Sequence, residues 1–443
     1  MRIQSFGTVK LFGIFDHDVQ LHRQEHLTII HGPNGFGKTT ILRMLRDFFE
    51  GKFTEFATVP IESFYIRFDE EKEVRLTKLP TDDAKPHIHR CLVTLTSVRG
   101  LEQQEIIASE DYESFLSKDL TRKYPYMRRV ASDLWEDTRD GEILSTEELV
   151  SRYGLPPQEA LSTKIPPWLK EIMASTTVRL IETQRLVQQE KPVRRIPQRH
   201  QQKSTSTIIH YAHQLAVKIQ ERFNEYAKLS QQLDRTFVVR LLRRDFSVLE
   251  ESSSPESIAQ KVESLNQKQK RLRESGLLSK EDDELPRPGA PNAVIDEILN
   301  AYLQDVEHKL AVFDDLLERI QLLKSIVDSH LEFKRMTLSQ TFGFQFRGTF
   351  DKESRILPAS MSSGEQHIVI LFYELLFKET KNSLVLIDEP EISLHVDWQL
   401  SFLQDLRRIV SLVPHDIILA THSPQIINND WDLTVALARP AER

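Results

Sequence analysis

The sequence predicts an α/β fold, with a mixed β lobe, a parallel sheet with flanking helices, and an inserted antiparallel helical or coiled-coil domain. Two segments near the C-terminus, 384–387 and 417–420, are apolar throughout and alternate with helical stretches, which is typical of buried parallel strands. The first 100 residues contain short alternating segments around one helical stretch, which indicates a β lobe. Between residues 207 and 335, apolar residues recur at intervals of three and four, which indicates helices.

The same patterns divide the 443 residues into five segments. A chain of this length exceeds one typical core, so we expect two structural units, one inserted in the other. The predicted segments are the first part of the α/β head (1–100), a helical subdomain broken by prolines (101–176), a strand followed by a basic loop (177–206), the helical or coiled-coil insertion (207–335), and the second part of the head (336–443).

The composition, with 28% charged and 40% hydrophobic residues, is that of a soluble globular protein. No apolar stretch approaches the roughly 20 residues that cross a bilayer, and the first residues leave no room for a signal peptide, so we expect no membrane partner. A single cysteine, Cys91, suits a reducing compartment and favours a cytoplasmic location. The net charge of −8 argues against a surface coated in basic residues for nucleic acid, although it is compatible with a local basic patch.

A glycine-rich loop lies near the N-terminus. Residues 32–39, with the sequence GPNGFGKT, match the phosphate-binding pattern G-x-x-x-x-G-K-[ST], and an apolar strand precedes them as the motif requires. Glycines let backbone N–H groups turn toward phosphates, and the N-terminus of the following helix adds a favourable dipole. Lys38 can reach the β- and γ-phosphates, and the Thr39 hydroxyl can bind Mg²⁺. The expected nucleotide-binding residues of this loop are Asn34, Gly35, Phe36, Gly37, Lys38, Thr39 and Thr40.

Two acidic residues, Asp388 and Glu389, directly follow the apolar segment 384–387. Asp388 can support Mg²⁺ directly or through water, and Glu389, offset by one residue, can polarise the water that attacks the γ-phosphate. The alternative interpretation is a solvated Asp-Glu-Pro turn. The four apolar β-formers before Asp388 and the glycine loop in the same chain favour the catalytic interpretation.

Polar residues also follow two other predicted strands. His422 comes after 417–420, at the carboxyl edge of a parallel sheet, where such folds bind ligands. It could hydrogen-bond the γ-phosphate and hold the attacking water. Gln184 follows the strand at 177–182, and its side-chain amide could contact both Mg²⁺ and that water. A structural role is the alternative for each of these two residues.

A turn of small residues, 361–366, precedes another amphipathic helix. Ser362 and the backbone N–H groups around Gly364 could form a second anion-binding helix start. Taken alone, the segment is an N-cap with Glu365 in the first helical turn. The choice between an anion-binding site and an ordinary N-cap depends on the other motifs in the chain.

Taken in order, these motifs resemble those of the ATP-binding-cassette ATPases, in the branch that contains RecF, the SMC proteins and the OLD-family ATPases. The glycine loop resembles their Walker A motif, and Asp388 with Glu389 resembles Walker B. Residues 362–366 (SSGEQ) resemble the signature motif, although Ser363 stands where many members have a glycine, a substitution frequent among OLD-like ATPases. The further correspondences are Ser393-Leu394-His395 with the D-loop, His422 with the switch histidine, and Gln184 with the Q-loop.

This resemblance implies an ATPase whose two nucleotide sites, each with ATP and Mg²⁺, form between two protomers. The signature of one subunit, with Ser362, Ser363, Gly364 and Glu365, would cap ATP bound at Lys38 of the other. ATP binding would close the dimer and hydrolysis would open it. The expected first partner is therefore a second copy of the chain, in a dimer or a higher oligomer.

Within this branch, the chain most resembles stand-alone ATPases of bacterial anti-phage defence, such as those of the PARIS and Septu systems. The insertion is far too short for an SMC arm, and the sequence ends shortly after His422, where OLD-family nucleases continue into a Toprim domain. The resemblance therefore implies control of a separately encoded effector, a nuclease or a toxin, with DNA or a phage protein as the trigger.

Two other functions are alternatives. A DNA repair or maintenance ATPase of the RecF/SMC kind would clamp DNA by ATP-driven dimerisation, and its contact candidates are the basic residues Lys191, Arg194, Arg195, Arg199 and Lys203. A solvated loop is the other interpretation of that segment. A transporter's nucleotide-binding subunit is the third function, but the long helical insertion and Glu365 count against it.

Overall fold

The computed structural model describes residues 2–53, 56, 59–80, 88–110, 123–131, 134–153, 165–182, 206–243, 255–278, 285–286, 293–351, 355–378 and 383–437. These residues belong to two compact units, each built from segments that are distant in sequence. Unit 1 contains Met1–Glu182, Thr380–Glu391 and Pro414–Arg443, whereas unit 2 contains Thr183–Glu379 and Ile392–Val413.

The secondary structure of the described residues is mixed. The strands are β1 Ile3–Leu11, β2 Phe15–Gln20, β3 Leu27–His31, β4 Ser63–Phe68, β5 Glu73–Lys78, β6 Ile88–Ser97, β7 Gly100–Glu110, β8 Met127–Ala131, β9 Leu134–Asp137, β10 Glu142–Ser145, β11 Thr177–Ile181, β12 Lys334–Ser339, β13 Gly343–Gly348, β14 Arg355–Ile356, β15 Ser383–Asp388, β16 Asp416–Thr421 and β17 Thr434–Ala436. The helices are α1 Lys38–Glu50, α2 Thr146–Tyr153, α3 Pro167–Ala174, α4 Thr207–Arg243, α5 Pro255–Glu274, α6 Ala293–Ala311, α7 Asp314–His330, α8 Ser363–Phe377, α9 Val396–Leu412 and α10 Pro424–Ile427.

Unit 1 contains a parallel sheet with the strand order β11-β15-β16-β3-β17. Every residue of β15 is buried, so both faces of this central strand are covered. Purely apolar strands form in such positions because no face has to meet water. Helix α1 contacts β11 and β15, and its apolar stripe, which includes Ile41, Leu45 and Phe48, belongs to the main core of the unit.

Unit 1 also contains the β lobe, an antiparallel sheet with the order β2-β1-β4-β5-β6-β7. Phe6 on β1 and Phe64 on β4 are fully buried and join the same core as α1. Cys91 is a buried free thiol in β6, as its apolar surroundings in the sequence predict. The predicted α/β class, with a mixed β lobe and a parallel sheet with flanking helices, is confirmed.

Unit 2 is mainly helical, and two ion pairs join α4 to α6. The Lys309 amine bonds to Asp234 at 2.7 Å, and the Arg240 guanidinium bonds to Asp305 at 3.0 Å. Residue numbers rise along α4 while those of their partners fall along α6, so the two helices are antiparallel, as expected for the insertion. The stretch from 293 to 331, which has helical spacing throughout, is divided into two helices at Val312–Phe313, where the fully buried Phe313 precedes α7.

Helix α8 belongs to this second unit, although the predicted boundary at 336 assigned it to the head. Ten of its residues, from Ile368 to Phe377, are buried in succession, and α8 contacts both α4 and α7. Helix α9 likewise contacts α7. A helix that is buried on all sides needs neighbours all round, and the helices of the insertion supply them.

The helical character expected for 101–176 is wrong for most of the described part of that segment. Strand β7 extends the β lobe, and β8, β9 and β10 form a separate three-stranded antiparallel sheet; α2 and α3 follow. Met127, Trp135 and Leu144 are buried on one face of the small sheet. Strands β8, β9 and β10 have only four or five residues each, which is too short for a clear alternation of apolar and polar residues. The sequence pattern therefore did not predict them. Among the described residues, none of the helices combines the length and the apolar character needed to span a bilayer.

Candidate functional site

The glycine loop connects β3 to α1 in unit 1. Gly35 and Gly37 have φ angles of 85° and 86°, a left-handed conformation that favours glycine. Space is a second constraint at Gly37, because a Cβ atom there would lie 2.5 Å from Cδ2 of Leu11. The two glycines therefore let the backbone make a tight turn directly before the first helical residue, Lys38.

Lys38 is buried and its amine is held by the loop itself. Its Nζ atom donates to the carbonyl oxygens of Gly32 at 2.8 Å and Pro33 at 3.2 Å. The side chain is therefore folded over the turn that Gly35 and Gly37 create. An ammonium group in this position can meet the β- and γ-phosphates of a nucleotide cradled by the loop.

Two further residues brace the loop from the β1–β2 hairpin, and the sequence did not reveal either of them. His17, fully buried on β2, lies with Nε2 2.9 Å from the carbonyl oxygen of Phe36, and Phe15 packs against the Phe36 ring at 5.0 Å between centroids. Burial lowers the pKa of His17, although the Phe36 carbonyl and Asp16 oppose that shift. A buried histidine at an alternating strand position gives no sequence signal of its contact with a loop 19 residues away.

The residues expected to hold Mg²⁺ meet where β15 ends. Thr39, at the start of α1, lies beside the Asp388 carboxylate. Oδ1 of Asp388 is buried and has no hydrogen-bond partner among the described residues. This oxygen is therefore available to bind a cation beside Thr39. Burial raises the pKa of Asp388, and the Glu389 charge adds to that effect. A buried carboxylate oxygen beside a hydroxyl fits a hard divalent cation, which would neutralise the charge that burial disfavours.

Glu389 has an unusual backbone at this edge of the sheet. Its φ angle is 44°, in the left-handed region that non-glycine residues rarely adopt, while its N–H donates to the carbonyl oxygen of Ala420 at 2.9 Å. Such strain persists where surrounding contacts enforce it, and it is frequent at functional sites. The bond to Ala420 fixes Glu389 against the end of β16, which leads to His422.

His422 lies directly after β16 and meets two carboxylates. Its Nδ1 atom is 2.8 Å from Oε1 of Glu391 and 4.0 Å from Oε1 of Glu389. The register of β15, β16 and β3 brings their carboxyl ends together, since Asp388 pairs with Ala420 and Thr421 pairs with His31. The structure thus gathers Lys38, Thr39, Asp388, Glu389 and His422 at one edge of one sheet, which is the ligand-binding edge of open α/β folds.

The SSGEQ segment begins α8 in unit 2, where Ser362 and Glu365 form a capping box. The Ser362 N–H donates to Oε2 of Glu365 at 2.9 Å, and the Glu365 N–H donates back to the Ser362 hydroxyl at 3.4 Å. Lys334 donates to both carboxylate oxygens of Glu365 at 2.7 Å. Burial alone would raise the pKa of Glu365, but Lys334 and Ser362 together hold it below its ordinary value. Ser362 and Ser363 are exposed, so this helix start faces solvent.

The residues expected to form the D-loop are also in unit 2, where they precede α9. Leu394 is buried, and the imidazole of His395 caps α9 by accepting from the Asp397 N–H at 3.4 Å. Gly364 lies near this segment, since a Cβ atom there would be 3.5 Å from the carbonyl oxygen of Ser393. Gln184 and the basic segment 191–203 lie outside the described residues.

A strand–glycine loop–helix unit, in the same parallel sheet as a strand that ends in an aspartate, defines the class of P-loop nucleotide-binding proteins. The chain matches the family model described as "AAA ATPase domain" over residues 1–427. It therefore belongs to this family. No curated protein matches the chain.

Solved structures of Smc head domains align with the chain at low identity. The Smc head domain with an extended coiled coil bound to the C-terminal domain of ScpA, derived from Pyrococcus furiosus, is 12% identical, with a TM-score of 0.34 and coverage of 97% of this chain and 91% of that chain. The SmcHead bound to the C-winged helix domain of ScpA is 10% identical, with a TM-score of 0.37 and coverage of 99% and 95%. The SMC head domain from Thermotoga maritima is 11% identical, with a TM-score of 0.32 and complete coverage of both chains.

Proposed function

We propose that the chain binds ATP with Mg²⁺ and hydrolyses it. The observation that carries this proposal is the convergence of Lys38, Thr39, Asp388, Glu389 and His422 on the carboxyl edge of one parallel sheet. Family membership supports the proposal, since the matching model describes an ATPase domain.

Each residue has a distinct role in the proposed reaction. Backbone N–H groups from Asn34 to Thr40 hold the phosphates at the start of α1, and Lys38 contacts the β- and γ-phosphates. Thr39 and Asp388 would hold Mg²⁺, which supplies charge neutralisation on the phosphates when bound.

In the proposed hydrolysis step, the reacting groups are contacted by the residues that follow β15 and β16. Glu389 orients and polarises the attacking water, and His422 hydrogen-bonds the γ-phosphate as charge develops on it. Gln184 is assigned to Mg²⁺ and water by its motif alone.

The exposed helix start at Ser362 supports a second part of the proposal, that two copies share each nucleotide. Three features there suit an anion from another molecule, namely the exposed Ser362 and Ser363, the helix N-terminus, and Gly364, which allows close backbone approach. ATP would then join two protomers, each capping the nucleotide of the other, and hydrolysis would release them.

The catalytic assignment is tested with Lys38→Ala and Glu389→Gln, with Glu171→Gln on the exposed face of α3 as the matched carboxylate control. Lys38→Ala should lose ATP affinity, whereas Glu389→Gln should bind ATP and lose about 100-fold or more in turnover. The control should keep wild-type turnover. Normal ATP binding by Lys38→Ala, or normal turnover by Glu389→Gln, would contradict the assigned roles.

For the biological output, we propose control of a separate effector nuclease or toxin in anti-phage defence, triggered by DNA or a phage protein. The support is architectural, since the motif set accompanies an insertion far too short for an SMC arm, an arrangement that resembles stand-alone defence ATPases. A RecF/SMC-like DNA clamp is the second candidate, favoured by the cluster of Lys191, Arg194, Arg195, Arg199 and Lys203.

Purification with and without the neighbouring gene product discriminates between these outputs. Co-elution of a nuclease or toxin with the chain supports effector control. ATP-dependent, salt-sensitive binding of duplex DNA by the chain alone supports the clamp, because contacts with phosphates release counterions.

A further inference from the structure

Glu391 is a third carboxylate beside the proposed nucleotide site, and the sequence motifs assign it no role. It follows Asp388, Glu389 and Pro390 in a short 3-10 turn, and its side chain is only 6% exposed. Burying a carboxylate is costly unless hydrogen bonds compensate it. His422 supplies contacts to one of the two carboxylate oxygens here.

The contact between these two residues is double. Oε1 of Glu391 accepts from the backbone N–H of His422 at 2.8 Å and lies 2.8 Å from Nδ1 of the same residue. One oxygen atom therefore fixes both the main chain and the ring of His422. The Glu389 N–H also donates to the carbonyl oxygen of Ala420 within β16, so the turn that carries Glu391 begins against the strand that leads to His422.

This contact determines which ring nitrogen of His422 is available for a ligand. Nδ1 faces Oε1 of Glu391 at 2.8 Å, so Nε2, on the other side of the ring, is the nitrogen left for the γ-phosphate. The His422 side chain is 46% exposed, so packing alone does little to hold the ring. A hydrogen bond to a buried partner can set both the tautomer and the orientation of the ring.

The distances also separate the tasks of the two glutamates. Glu389 lies 4.0 Å from Nδ1 of His422, which is beyond hydrogen-bond length, whereas Glu391 is within it. Glu391 therefore contacts the histidine ring, and Glu389 is left to orient the attacking water.

We propose that Glu391 is a positioning residue that holds the His422 ring for contact with the γ-phosphate during ATP hydrolysis. This inference rests on the proposed ATPase function. In this role Glu391 acts through His422.

The test uses full-length Glu391→Met and Glu391→Gln, which have similar length but differ in the acceptor oxygen. Glu391→Met should lower kcat about 10- to 100-fold with little change in KM, as for other residues that orient a reacting group. Glu391→Gln keeps an oxygen that accepts from both N–H groups, so it should recover most of that loss. Equal losses in the two variants would overturn the proposal.

A double-mutant cycle with His422→Ala tests whether Glu391 acts through the histidine. In the His422→Ala background, Glu391→Met should cause no further loss of kcat. Multiplicative losses would overturn the proposal. If Glu391→Met does not fold, Glu391→Asp serves instead, since it keeps the charge but withdraws the oxygen by one methylene, and wild-type kcat in Glu391→Asp would equally overturn it.

The parent function can fail separately. If wild-type protein and Lys38→Ala show the same background hydrolysis, the proposed ATPase function is wrong. If the wild type hydrolyses ATP, Lys38→Ala does not, and Glu391→Met retains wild-type kcat, the error lies in the role of Glu391 alone.

Discussion

The Nε2 atom of His17 lies 2.9 Å from the carbonyl oxygen of Phe36, so a buried histidine of β2 supports the backbone of the glycine loop. Because that bond requires Nε2–H, the other nitrogen, Nδ1, is the unprotonated one in the neutral ring. Nδ1 is buried and has no hydrogen-bond partner among the described residues. A second proton on this ring would therefore have no acceptor.

The first prediction is a pH dependence of stability that originates at His17. Its pKa in the folded protein is below the ordinary value of 6.5, so the unfolded chain binds the proton more readily. The stabilisation is therefore fully present above pH 6.5 and is lost as the pH falls below that value toward the folded pKa.

The melting temperature of wild type and His17→Gln, measured between about pH 7 and pH 5, checks this assignment. Glutamine can keep the bond to Phe36 but does not titrate, so its melting temperature should fall less than that of the wild type. Identical pH slopes for the two proteins would exclude His17 as the source.

The second prediction separates steric crowding from backbone strain in the glycine loop. Gly35 and Gly37 share a left-handed φ, but a Cβ at Gly35 meets nothing within 4 Å, whereas one at Gly37 lies 2.5 Å from Leu11. Gly35→Ala should cost roughly 1–2 kcal/mol from conformation alone. Gly37→Ala should cost roughly 1–3 kcal/mol more, from the clash.

Thermal unfolding of the two alanine variants, followed by circular dichroism, gives the comparison. Each variant serves as the control for the other, since the substitution and the φ angle are the same. Equal destabilisation would show that Leu11 moves aside without cost.

The third prediction concerns action across two copies of the chain. An added Cβ at Gly364 makes only ordinary contacts, at 3.5 Å from Ser393 and 3.7 Å from Trp398, so Gly364→Ala should fold normally. If the helix start at Ser362 caps the nucleotide of a second protomer, Gly364→Ala should nevertheless lose ATPase activity.

Mixing Gly364→Ala with Lys38→Ala then tests the arrangement. Each mixed dimer has one site with both lesions and one intact site, so equal mixing with exchange should restore about a quarter of wild-type turnover. The melting temperature of Gly364→Ala controls for folding. Activity no higher than the average of the two variants would argue against shared sites.

The fourth prediction concerns the metal. Asp388→Asn removes the charge beside Thr39 while keeping the shape of the side chain, so the Mg²⁺ concentration for half-maximal ATPase should rise about tenfold or more. The exposed Asp432→Asn is the matched control, because Asp432 lies in the same unit and points to solvent. An unchanged Mg²⁺ requirement in Asp388→Asn would remove Asp388 from the metal site.

The sequence predicted the parts of the fold whose physical constraint is local. Strand β15 is buried on both faces, and its central residues 384–387 are uniformly apolar and easily recognised. The turn at Gly35 and Gly37 was also predictable from the sequence, because few other residues tolerate their φ angles. By contrast, the end of α6 at Val312–Phe313 keeps the apolar spacing of a helix, so the break there left no trace in the pattern.

Contacts between distant segments were the part that could not be predicted. Glu391 contacts His422 because β15 and β16 end at the same level of the sheet. The residues next to Glu391 and His422 in the sequence do not indicate this pairing. His17 supports Phe36 for a similar reason, through the β1–β2 hairpin. Such contacts follow from strand register, which pattern analysis of one sequence does not fix.

The position of β3 has a consequence for how the protein is made. Its two neighbours in the sheet are β16 and β17, which begin at Asp416 and Thr434, so the strand before the glycine loop is unpaired until nearly 400 more residues exist. At roughly 5–20 residues per second, the ribosome needs about 20–80 s to supply them. Throughout synthesis, β3 is an apolar strand with two open edges, the kind of segment that pairs with other chains. The strand on which the nucleotide loop depends is thus open to aggregation for most of the synthesis of the chain.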